Sequence, residues 1–171
     1  MTRGKVKALD ANAVAQRAWA LRMNLTRVAL SMLHHSQDAE DAVSAAMLKA
    51  YQSAGTLKNE DKLNAWLMRI LVATCYDVLR RRKRETPTDD SAAFDMPVLL
   101  GAEGSIWEAI QTLPPPYPKI LVLFYYEGFK AREIAQILGM PLGTVLVQLS
   151  RGRSRLKAIL LQEEGVTHCE T

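Results

Sequence analysis

Basic side chains dominate the groups in this sequence that could do chemistry. Arg151, Arg153, Arg155 and Lys157 alternate through SRGRSRLK, and Arg80–Arg84 reads RRRKR. Cations at that density neutralise phosphates, so polyanion binding is the chemistry they suit. The groups that catalysis would need are scattered. His34–His35 lies in a polar break, far in sequence from both cysteines, and His168–Cys169 lies in a polar tail. No metal-ligand spacing, phosphate-cradling glycine loop or Ser/His/Asp pattern stands out. The expectation is a protein that is not an enzyme, with no catalytic residue, no metal and no cofactor.

The charge is organised in blocks. The 171 residues carry a net +4: +3 over residues 1–9, +5 over 10–84, −5 over 85–104, +4 over 105–162 and −3 over the last nine. Two basic blocks around an acidic one suggest two polyanion-facing modules and a connector. The expected organisation is a basic arm (1–9), a first domain (10–84), an acidic linker (85–104), a second domain (105–162) and a tail (163–171). The linker, ETPTDDSAAFDMPVLLGAEG, has prolines, glycines and no sustained period, with an apolar MPVLL segment that could dock. No apolar run approaches a bilayer span, and MTRGKVKALD has no apolar stretch behind it, so no secretory signal is expected. With only Cys75 and Cys169, a reducing cytoplasm fits.

Helices must position these groups, because β-alternation is sustained nowhere. Val14, Ala18, Leu21, Leu25, Val28 and Met32 recur at helical spacing. HHSQDAED breaks the pattern, with Ser36 or Asp38 placed to cap a helix whose apolar residues are Ala42, Val43, Ala46, Met47, Ala50 and Tyr51. SAGTLKNED reads as a loop. Leu63, Trp66, Leu67, Ile70, Leu71, Thr74 and Val78 then mark a helix ending in the cationic run. In the second block, Ser105 and Glu108 form a capping-box pattern, PPPYP stops that helix, and Pro118 suits the first turn of the next, which Gly128 ends. The fold class is all-α, as two small helical domains.

The last two helices flank Gly139–Met140–Pro141. Ile134 and Leu138 face inward from the first, Ala135 is small at the crossing, and Val145 and Leu149 anchor the second. This spacing suits a DNA-binding helix-turn-helix. At about 100° per residue, Val145, Leu149, Gly152, Leu156, Ile159 and Leu160 fall on one buried stripe. Leu146, Val147, Gln148, Ser150, Arg151, Ser154 and Arg155 fall outside it. Leu146 and Val147 are unexpected on a DNA-facing surface: they suit thymine methyls or another protein surface.

LPPPYPKILVLFYYEGFKAREIAQILGMPLGTVLVQLSRGRSRLKAIL resembles region 4 of the extracytoplasmic-function sigma factors of the sigma-70 family. DAEDAVSAAMLKAY followed by LNAWLMRILVATCYDVLRRRKR resembles their region 2. The resemblance covers about residues 10–162 and implies an alternative sigma factor that directs bacterial RNA polymerase to specific promoters. Region 2 would bind the β′ clamp helices and melt the −10 element; region 4 would bind the β flap and the −35 duplex. It also implies an anti-sigma factor as a partner. Carried over by position, core-polymerase contacts fall on Asp38, Glu40, Asp41, Ser44 and Met47. Contacts to −10 DNA fall on Lys58, Asn59, Lys62, Asn64, Arg69, Tyr76 and Arg80. Contacts to −35 DNA fall on Arg132, Thr144, Leu146, Val147, Gln148, Ser150, Arg151 and Arg155.

The sequence departs from the family where VSAAM follows DAED and where GTV is followed by LVQL. A sigma-like protein whose recognition helix mainly binds a protein partner stays open beside the promoter-reading one. Helix capping by the acids at 38–41 stays open beside polymerase contact.

Overall fold

A computed structural model describes residues 9–85 and 104–167. The acidic linker thus lies almost wholly outside the described residues, as do most of the basic arm and the end of the tail. Every regular element among the described residues is helical, in accord with the all-α expectation. The chain divides into two compact units, Met1–Phe94 and Asp95–Thr171. No single helix among the described residues is long and apolar enough to cross a membrane.

In the first unit, α1 (Ala11–Ala20), α2 (Arg22–Leu33), α3 (Ser36–Gln52) and α4 (Leu63–Glu85) pack as a bundle with α3 at its centre. The reason is the side chains that α3 presents. Ala39, Ala42, Ala46 and Ala50 are all buried, and only Val43 adds bulk to that stripe. Small residues let α1, α2 and α4 all approach this one helix closely. Tyr51, expected on the apolar face, is instead 46% exposed, and Met47 is half-buried. The alanines and Val43 fill the seam, so the larger side chains are left at its edge. Trp66 is likewise half-buried on α4.

The unbroken apolar period over residues 14–32 is divided at Leu21, whose φ −93°, ψ 6° ends α1 and starts α2. The Leu21 carbonyl still accepts the Leu25 N–H at 2.9 Å, so the hydrophobic face continues through the break. α2 ends at His34, held left-handed at φ 51°. Neither Ser36 nor Asp38 caps α3. The cap is His35, extended at φ −144°, whose Nδ1 accepts the Asp38 N–H at 3.4 Å. Ser36 is already the first helical residue.

In the second unit, α5 (Gly104–Thr112), α6 (Tyr117–Leu121), α7 (Ala131–Leu138) and α8 (Leu142–Thr167) enclose Ile110, Ile120, Leu121, Leu123, Ile134, Val145 and Leu149. The Ser105 side chain, half of the expected capping box, is outside the described residues. α8 continues past residue 162 into the segment read as a tail. α6 crosses α8 at Gly152: a Cβ there would sit 3.3 Å from Tyr117 Cδ1 and 3.4 Å from both Leu121 methyls. Beyond α6 the chain widens into a π-helical turn, Val122–Tyr126, where the Glu127 N–H reaches back to the Val122 carbonyl at 3.1 Å. Gly128, at φ 71°, ends it. Gln111 is buried on α5 at 1% exposure, with no protein partner for either amide atom among the described residues.

Candidate nucleic-acid interface

α7 and α8 meet at 110°, within the range of helix-turn-helix pairs. The turn follows from backbone chemistry. Gly139 adopts φ 64°, the left-handed region that suits glycine, and the Met140 N–H bonds to the Ala135 carbonyl at 2.9 Å, closing α7. At the other end, the Glu133 carboxylate accepts the Lys130 N–H at 2.8 Å. Val145 and Leu149 are buried against α7, as the helical wheel requires. That register turns Leu146 and Val147 outward, at 51% and 47% exposure.

The remaining expected −35 positions divide. Arg132, Ser150, Arg151 and Arg155 are exposed, and Thr144 is half-buried. Gln148 is half-buried and its Oε1 is buried without a partner among the described residues, so its amide is turned partly towards the protein. The α8 arginines differ in how they are held. Arg153 lies over the Phe124 ring at 4.9 Å and the Tyr125 ring at 5.7 Å, and Arg155 over Tyr117 at 5.2 Å. A ring covers a guanidinium face and leaves its N–H edge outward, which fixes the direction in which the cation can donate. The π-turn supplies both rings beside Arg153. Sequence alone carried no sign of this stacking.

In the first unit, Lys58, Asn59, Lys62 and Asn64 are all exposed around a 3₁₀ turn, Glu60–Lys62. Asn59 holds that turn: its Oδ1 accepts the Asp61 N–H at 3.0 Å. Arg69 is exposed and Tyr76 half-buried along α4. Arg80 is ion-paired to Asp77, whose other carboxylate oxygen lies 3.8 Å from Lys49 Nζ. Lys49 in turn donates to Thr74 Oγ1 at 3.1 Å.

On α3, Glu40, Asp41 and Ser44 face solvent, and Asp41 accepts from Gln37 at 3.0 Å. Asp38 is engaged within the fold. Arg82 donates from both Nε and Nη2 to Asp38 Oδ2, and its Nη1 donates to the Leu33 carbonyl at 2.9 Å. One guanidinium therefore ties α4 to the start of α3 and the end of α2. Leu48 is 58% exposed, and with Ser44 and Tyr51 it forms an i, i+4, i+7 row that the sequence reading passed over. Cys75 is buried on α4, and burial pushes its thiol up to about 12 despite the opposing pull of Arg82. It offers no thiolate for chemistry at neutral pH.

Residues 20–85 match Sigma-70 region 2, and residues 103–156 match Sigma-70, region 4. The chain is 32% identical to the ECF RNA polymerase sigma factor SigM of Mycobacterium tuberculosis over 139 residues, 80% of this chain and 71% of that protein. It is 30% identical to the RNA polymerase sigma factor SigV of Bacillus subtilis, over 84% of this chain and 88% of that one. Among solved structures, the sigma factor RpoE of Bartonella quintana, in complex with the anti-sigma factor NepR, superposes with a TM-score of 0.73 at 26% identity, covering 85% of this chain and 94% of that chain.

Proposed function

The chain belongs to the extracytoplasmic-function sigma factors of the sigma-70 family, and on that premise we propose how its two halves divide the work of an alternative sigma factor. It directs bacterial RNA polymerase to specific promoters. Residues 10–84 form the module that binds core polymerase and opens the −10 element; residues 105–162 form the module that binds the −35 duplex, with residues 85–104 as the tether. The observation that carries this division is the pairing in one chain of a helix-turn-helix with an outward cationic face and a second bundle bearing its own exposed basic residues.

In the first module, α3 presents Glu40, Asp41 and Ser44 to the polymerase, with Leu48 and Tyr51 continuing that surface towards the helix end. Asp38 serves by orienting α3 through Arg82. Lys58, Lys62, Asn64 and Arg69 supply exposed cations and amides for the −10 strand, whose unpaired bases offer hydrogen-bonding edges. In the second module, α8 enters the major groove while Arg151, Arg153 and Arg155 hold phosphates. Catalysis belongs to the polymerase, and the cytoplasm is the compartment of action. An anti-sigma factor that covers the α3 surface is the regulatory partner.

Run-off transcription with purified core polymerase over a library of −35 sequences and spacer lengths tests this reading. Transcripts should require the chain, depend on both promoter elements and fall steeply with salt. A holoenzyme that forms but opens no promoter would overturn it in favour of a protein-binding role for α8.

A further inference from the structure

We infer that Leu146 and Val147 are specificity-determining residues that read thymine C5-methyl groups in the major groove of the −35 element. The inference rests on the proposed placement of α8 against the −35 duplex and specifies what that helix reads there.

The register of α8 leaves little choice in where these side chains point. Val145 is fully buried and Leu149 nearly so, which turns the two intervening aliphatics outward in the first turns of the helix. Those are the turns that a helix-turn-helix presents to base edges. Of the groups lining the major groove, the thymine methyl is the one that an aliphatic side chain contacts favourably; the acceptors of guanine and adenine and the donors of cytosine and adenine need polar partners.

The surroundings say what covers the pair. Val147 continues at i+4 to Arg151 and at i+8 to Arg155; Leu146, which follows half-buried Leu142 at i−4, continues to Ser150 and Ser154. Arg151, Ser150 and Ser154 are exposed, and Arg132 stands exposed on α7. Two aliphatics framed by cations and small hydroxyls match a groove with apolar methyls between phosphate walls. A protein-docking face would need a contiguous apolar area. The next exposed large aliphatic on α8 is Leu161, about 20 Å further along at 1.5 Å per residue.

The test uses the holoenzyme reconstituted from the full chain and core polymerase. Promoters are first selected from a library randomised across the −35 region. Each selected thymine is then replaced by deoxyuridine, which removes the methyl and keeps every hydrogen-bonding group. The selected elements should carry thymine at adjacent positions, on one strand or across both. Each contacted methyl should be worth about fourfold in promoter occupancy, the effect of burying one methyl-sized group. Sensitivity to deoxyuridine should vanish in the Leu146→Ser/Val147→Ser variant and persist in Leu161→Ser. Selected, −35-dependent promoters that tolerate every deoxyuridine would overturn the inference and leave the proposed function standing. Promoter-specific transcription with no −35 dependence at all would overturn the role given to α8, and the inference with it.

Discussion

Replacing Arg82 by alanine should loosen the first unit as a whole while leaving the second unchanged. Arg82 makes two charge-assisted bonds to Asp38 Oδ2 and a third, at 2.9 Å, to the Leu33 carbonyl. A hydrogen bond to a charged group contributes about 1.5–3 kcal/mol when well desolvated, but these side chains are 30% and 34% exposed. Exposed ion pairs contribute only about 0.2–1 kcal/mol. We place the Asp38 pair near the top of that lower range and the carbonyl bond at about 0.5–1 kcal/mol. The loss is then about 1.5 kcal/mol, equivalent to roughly 6–12 °C in Tm for a unit of this size. Native-state amide exchange on the full chain resolves the two units separately. Protection in α2, α3 and α4 should fall about tenfold, since 1.4 kcal/mol is a factor of ten, while α5–α8 serve as the internal reference. The charge reversal Asp38→Arg/Arg82→Asp should recover part of that protection and of core-polymerase affinity, because it restores the tie between α3 and α4. If Arg82→Ala left exchange in α2–α4 unchanged while core affinity collapsed, the scaffold role given to the pair would be refuted and both residues would be direct polymerase contacts.

Four further outcomes follow from particular side chains. The Cys75 thiol, raised from 9.0 to about 12, stays protonated in the fold where the unfolded chain ionises. Its contribution is complete below pH 9 and is lost as the pH rises towards 12, so stability should fall across that window less steeply in Cys75→Ala; at pH 8, alkylation should proceed only on unfolding. Gly152→Ala puts a methyl 3.3 Å from Tyr117 and 3.4 Å from both methyls of Leu121; Leu121 is fully buried and has little room to yield, so an overpacking cost of about 1–3 kcal/mol should exceed the helix-propensity gain of about 1 kcal/mol and denaturant titration should show a net loss. Gln111→Met removes a fully buried amide without a protein partner among the described residues and should raise the stability of the second unit by about 1 kcal/mol. Arg151→Ala should reduce the slope of log promoter affinity against log salt by about one unit, uniformly across −35 sequences, as the loss of one phosphate contact requires.

Much of this was legible in the chain because it is local. The periods placed α3, α4 and the α7–α8 pair, and the wheel separated buried Val145 and Leu149 from outward Leu146 and Val147. A break such as Leu21 leaves no mark, because the apolar face runs through it unchanged. A histidine cap is equally silent: Ser36 and Asp38 are the better-known capping types, and only the backbone shows that His35 occupies the position. The Arg82–Asp38 tie joins residues 44 apart, and the rings over Arg153 and Arg155 arrive from a different helix. No local pattern encodes such meetings. What the sequence could not show is which polar side chains are engaged within the fold: Asp38 with Arg82, Arg80 with Asp77, and the Asn59 amide with the Asp61 N–H.

The π-helical turn at Val122–Tyr126 has a genetic side. The turn closes the α6 segment and runs directly into the connection to α7, so a one-codon deletion within it alters that helix end and leaves α8 untouched. A deletion there would rewind the segment and change the direction in which the Phe124 and Tyr125 rings point. Arg153 would lose the rings that aim it, although nothing on α8 had been touched. The strength of the backbone grip is thus set partly by the length of a helix outside the reading helix, and single-residue length changes are a route by which it can be adjusted.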